Sequence, residues 1–133
     1  MFNDQSKPRD QHIQHTILSL SFNAATSQRR AEALKQNGFR VVSVNSPTQA
    51  RYEIEMGQCG IFITCPLVAD IVSLDLLALF RKFCPTGTTI AVTSARTHAA
   101  IGPHVDIEVE EADDPGGIVQ SLLARLRGAR GAA

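Results

Sequence analysis

Few side chains in this 133-residue chain could do chemistry, and their spacing narrows what that chemistry is. Cys65 follows the short apolar run Ile61-Phe-Ile-Thr64, and the carboxyl end of a strand is where α/β proteins place reactive groups and ligands. A thiol there could act as a nucleophile or a redox sensor. Yet the stretch from residue 55 to 75 carries no Lys, Arg or His to lower its pKa, so a small apolar residue filling space is the simpler reading. Cys59 and Cys84 read as core or helix-end residues. The three cysteines form no CxxC pair, and a closed zinc site would have to recruit His98 or His104 from a distant stretch, so no metal is expected. Those histidines could sense pH, although exposed loop histidines explain them as well. Glu108, Glu110, Glu111, Asp113 and Asp114 form an acidic stretch that could meet Ca²⁺ or a basic partner; Asp113 and Asp114 read more simply as caps favoured by a helix dipole. Gly116-Gly117 is followed by no GK[ST], and no nucleophile elbow is present. These patterns predict neither an enzyme nor a cofactor.

The elements that must position these residues follow from apolar patterning and punctuation. Thr16–Phe22 is a β-prone run, and the polar helix after it ends at Asn37-Gly38. Arg40–Val44 is a second strand, and Ser46-Pro47 opens a second helix running to about Gly57. Ile61–Thr64 is a third strand, Cys65–Val72 a loop, and a third helix starts at Ser73 and is ended by Cys84–Gly87. Thr88–Thr93 is the fourth strand. Val105–Val109 is the fifth, with the alternation of an edge strand. Asp113-Asp-Pro115 caps a last helix with Ile118, Val119, Leu122, Leu123 and Leu126 on its apolar face, Arg125 and Arg127 in its final turn, and Gly128 as its stop. Between residues 93 and 105 there is room only for a short or irregular helix.

Five strands alternating with helices, joined by right-handed crossovers, predict a doubly wound α/β fold with a five-stranded parallel sheet. The domain is expected over residues 14–127, with flexible segments at 1–13 and 128–133. Basic and acidic side chains balance at 13 each, which leaves no field to gather phosphates or anionic lipid, so neither nucleic acid nor a membrane is an expected partner. No apolar run approaches the length of a membrane span, the polar start lacks a secretory signal, and a cytoplasmic location is expected.

In this order, Val44-Asn-Ser-Pro-Thr-Gln-Ala50-Arg-Tyr-Glu-Ile54, Gly60-Ile-Phe-Ile-Thr-Cys65 and Leu74-Asp-Leu-Leu77 resemble the receiver domain of bacterial response regulators, as do the Gly38-Phe39 turn and Ala91-Val-Thr93-Ser-Ala95. The resemblance spans nearly the whole chain and implies the flavodoxin-like, CheY-like three-layer sandwich with strand order 2-1-3-4-5. It also implies a site at the strand tips: an acidic pair after strand one, a phosphate-accepting aspartate after strand three, a Thr or Ser after strand four and a Lys after strand five. Carboxylates would hold Mg²⁺, and the ion and Lys would neutralise the phosphoryl oxygens.

The chain departs from that pattern almost everywhere. The acidic positions align with Ser21 and Phe22, or Phe22 and Asn23, and the acceptor with Cys65, followed by Pro66. Thr93 keeps the hydroxyl. The lysine position falls within Glu108–Glu111, at Glu110, so charge at that corner is inverted. The reading is a degenerate or pseudo-receiver of the two-component, phosphorelay type. It would act by protein–protein interaction with a kinase, regulator or output protein, or as a homodimer, through the face formed by the fifth strand and its flanking helices. With no effector after residue 127, output would come from a separate chain. Two rivals are a phosphorylatable receiver with a displaced acceptor, Asp70 or Asp75, and a thiol sensor through Cys65.

Overall fold

The computed structural model describes residues 13–66, 69–94 and 101–132, with side chains through residue 128. Five strands, β1 Thr16–Leu20, β2 Arg40–Val44, β3 Ile61–Thr64, β4 Thr88–Thr93 and β5 Ile107–Glu110, form one sheet in the order β2-β1-β3-β4-β5. Every pairing is parallel. Among the described residues, the helices that connect or follow them are α1 Ala24–Gln36, α2 Pro47–Met56, α3 Asp70–Phe83 and α4 Gly116–Ala132. This is the expected doubly wound, flavodoxin-like fold.

Alternation along the strands sorts the core into two layers, because successive side chains leave opposite faces of a sheet. Ile17, Ile61, Ile63, Ile90, Val92 and Val109 pack against Leu34 of α1 and Ile118 and Leu122 of α4. On the other face Leu18, Leu20, Phe62 and Ala91 pack against Ala50 and Ile54 of α2 and Leu76, Leu77 and Phe80 of α3. The order reverses between β1 and β3, so a crevice opens at the carboxyl ends of these two strands.

Local signals set most boundaries. Asn23 caps α1, its side chain accepting from the Thr26 amide, and Ser46 caps α2 by accepting from Gln49, with Pro47 beginning the helix. Gly38 and Gly57 take the positive φ values, 91° and 70°, that end these helices. β5 is an edge strand with only Val109 buried.

Four expectations are corrected. The loop expected over Cys65–Val72 is shorter: α3 begins at Asp70, after Ala69, which gives no side-chain cap and so no sequence signal. Gly128 does not stop α4, which continues to Ala132, so Arg125 and Arg127 precede its last turn; a glycine costs helix stability without forbidding the helix. Asp113 and Asp114 do not cap α4: residues Glu111–Asp113 form a 3₁₀ turn, and the Asp114 carboxylate is engaged elsewhere. β1 ends at Leu20, freeing Ser21 and Phe22 for the connection to α1. Residues 95–100, including His98 and most of the short helix expected there, lie outside the described residues, as do 1–12. What is described of that connection is a 3₁₀ turn at Gly102–His104.

Candidate functional site

The crevice at the strand tips is a cleft of about 170 Å³ lined by Ser21, Phe22, Asn23, Thr26, Arg29, Arg30, Cys65, Pro66, Val92, Glu111 and Asp114. Sequence reasoning pointed to three of these, Ser21, Phe22 and Cys65, as the degenerate site. Ser21 is buried where the chain leaves β1, its amide donating to the Val44 carbonyl at 3.1 Å and its hydroxyl lying 3.3 Å from the Asn23 amide and carbonyl. Phe22 points partly outward, 42% exposed. Cys65 directly follows β3 and is 6% exposed. Thr93 lies one strand over, buried, in a void of about 10 Å³ shared with Cys65, Thr64 and Ser73, room for no more than one water molecule. Glu110 is brought to neither cavity: it is exposed on the edge strand. The carboxylates that reach the cleft are Glu111 at its exposed rim and Asp114 in its floor.

The residue that dominates the site was not singled out from the sequence. Arg30, on the second turn of α1, is 1% exposed, and the Asp114 side chain is 4% exposed. The guanidinium grips that carboxylate in a fork, Nε donating to Oδ1 at 3.2 Å and Nη2 to Oδ2 at 2.7 Å. Its remaining nitrogen, Nη1, donates to the Ser19 hydroxyl at 2.9 Å and the Leu20 carbonyl at 3.3 Å. Both charges are thus neutralised by each other, and no buried side-chain polar atom is left without a partner among the described residues. Two signals were present in the sequence. Arg30 shares the helical stripe of Ala31 and Leu34, which faces the core, and Ser19 is a polar residue amid the apolar run of β1, on the same sheet face as Ile17.

The donors here do not fit Mg²⁺, which takes hard oxygen ligands, carboxylates above all. Ser21 offers a hydroxyl already engaged with Asn23, Phe22 offers nothing, and Cys65 offers soft sulfur. Both oxygens of Asp114 are held by Arg30. Asp70 and Asp75, the displaced acceptors weighed from the sequence, are exposed on α3 and line neither cavity. No group of three or more His, Cys, Asp or Glu with metal-binding geometry occurs among the described residues.

None of the three thiols forms a disulfide. Burial, with Glu53 and Cys84 adding to it, pushes the Cys59 thiol up to about 11, and burial also raises Cys84. Among the described residues no helix is long and apolar enough to cross a membrane.

No family model matches the chain, and no curated protein matches it either. Solved structures do. A CheY-like response regulator receiver domain protein from Methanospirillum hungatei is similar with a TM-score of 0.74 at 16% identity, over 89% of this chain and 98% of that one. The signal receiver domain of a putative Luxo repressor protein from Vibrio parahaemolyticus gives a TM-score of 0.72 at 14% identity, over 88% and 93%. The response regulator TrrA of Thermotoga maritima, in complex with Mg²⁺-BeF, gives 0.69 at 15% identity, over 84% and 97%; the same regulator is seen in complex with the histidine kinase ThkA. At these identities the likeness establishes the fold, which is that of receiver domains.

Proposed function

We propose that the chain is a receiver-like signalling module that does not undergo aspartyl phosphorylation and acts by contact with other proteins. One observation carries the reading. At the carboxyl ends of β1 and β3, the positions aligned with a receiver's carboxylates are Ser21, Phe22 and Cys65, and the floor is closed by an arginine–aspartate pair that is already charge-neutral. Outside that pair the cleft has one carboxylate, Glu111 at its exposed rim, so the site offers no clustered carboxylates to cradle a divalent cation and no acceptor carboxylate at the tip of β3.

The partner is proposed to be another signalling protein. A histidine kinase is the partner seen with TrrA, and a receiver fold emptied of its chemistry retains a surface on which such a protein, or a second copy of this chain, can dock. Work inside a cytoplasm accords with three cysteines none of which forms a disulfide.

Incubation with Mg²⁺ and acetyl phosphate, followed by intact-mass measurement, tests the proposal. The expected result is an unchanged mass. A hydroxylamine-labile gain of one phosphoryl group would overturn it, and mapping that group to Asp70 or Asp75 would establish the displaced-acceptor alternative.

A further inference from the structure

Arg30 and Asp114 sit 84 residues apart in sequence and belong to opposite ends of the chain's path through the sheet. Arg30 binds β1 as well, through Ser19 and Leu20. Asp114 lies between the 3₁₀ turn Glu111–Asp113 that follows β5 and the first residue of α4. Gly117 packs closely there: a Cβ added to it would stand 3.1 Å from both Asp113 Cβ and Val109 Cγ1, so the start of α4 lies against the end of β5. Three parts of the fold, α1, the tip of β1 and the β5–α4 junction, therefore meet on one guanidinium.

We infer that this pair is a built-in lock that holds the β5–α4 junction in a single arrangement against α1 and β1. The inference rests on the phosphorylation-free reading and names what holds the same site: an internal ion pair, not charge delivered from a ligand. A bidentate fork fixes orientation as well as distance, and separating two buried charges leaves each uncompensated, so any displacement from the closed arrangement is disfavoured. With the pair closed, cation and anion are both supplied by the chain itself.

Amide hydrogen exchange on the full chain tests this, using the wild type, Arg30→Gln, Arg30→Lys and Asp114→Asn, each checked by intact mass after treatment with Mg²⁺ and acetyl phosphate. The expected result is that Arg30→Gln speeds exchange by about tenfold or more both in residues 17–36, where it lies, and in residues 107–122, where it does not, but by less in residues 47–56 and 70–83 on the other face of the sheet, and that Asp114→Asn does the same in reverse; equal acceleration in all four segments would mean general destabilisation and overturn the lock. Arg30→Lys, which keeps the charge and loses the fork, should fall between wild type and Arg30→Gln; if Arg30→Gln does not fold, it carries the test. Faster exchange confined to the segment bearing the substitution would overturn the lock while leaving the phosphorylation-free reading intact. A phosphoryl mass gain in the wild type would overturn that reading instead, and the lock with it.

Discussion

The Arg30 guanidinium and the Asp114 carboxylate meet in a two-point fork, at 3.2 and 2.7 Å, with 1% and 4% of their side chains exposed. Removing one partner from such a pair costs about 3–5 kcal/mol, because the other charge stays buried without compensation, whereas replacing both with apolar residues of similar size is often neutral. Urea unfolding of Arg30→Met and Asp114→Leu should therefore show a large loss for each. The double variant should be more stable than either single one. Additive losses would mean that the pair is not a unit.

Alkaline conditions probe the buried thiol on the other side of the sheet. Burial raises Cys59 from its ordinary 9.0 to about 11. The folded state thus holds this proton more tightly than the unfolded chain, so the contribution to stability is complete below pH 9 and is lost as pH rises from 9 to 11. A shift of that size is worth about 2–3 kcal/mol. The wild type should lose about that much more stability than Cys59→Ala between pH 8.5 and 11, measured by urea midpoint; parallel curves for the two proteins would show that the thiol is not held in its neutral form.

Gly60 stands where β3 begins, its amide donating to Thr16 and its carbonyl accepting from Thr88, both at 3.0 Å. A Cβ there would lie 2.5 Å from the Ile13 carbonyl oxygen and 3.1 Å from Gln14 Cα, both backbone atoms. Gly60→Ala must push the chain entering β1 away from β3, at a cost of about 1–3 kcal/mol. Thermal unfolding should show it as a lowered midpoint, whereas an unchanged midpoint would mean that this approach is looser than described.

Thiol labelling separates a sensor from a filler at the strand tips. Cys65 is almost as buried as Cys59, and Cys84 is the more exposed of the three. At neutral pH an alkylating reagent should modify Cys65 no faster than Cys84, as read by peptide mass. Cys65 reacting well ahead of both others would favour the thiol-sensor alternative.

How much of this was legible in the sequence depends on the residue. β2, β3 and β4 were read to the residue because β-branched runs are bounded by Gly38, Ser46, Gly60, Cys65 and Gly87. The start of α3 was missed because Ala69 carries no cap, and the end of α4 because Gly128 interrupts propensity without ending the helix. At the site, local alignment brought Ser21, Phe22 and Cys65 together correctly in space but put the strand-five position at Glu110, an exposed edge residue, when the carboxylate that enters the floor is Asp114, four residues on. Asp114 reads as a cap in the sequence because its partner is 84 residues away, and no local pattern shows a tertiary ion pair. Arg30 on an apolar stripe, with Ser19 inside an apolar strand, was the only trace of it.

On the proposed reading, the strand-tip cleft holds an internal ion pair and takes up no divalent cation. Titrating the full chain with Mg²⁺ while following the backbone amides of Ser21, Asn23, Arg30, Cys65 and Asp114 by NMR tests it most directly. The account predicts no saturable shift at these residues beyond that produced by an equal ionic strength of sodium chloride. A saturating, Mg²⁺-specific shift shared by Ser21, Cys65 and Asp114 would contradict it.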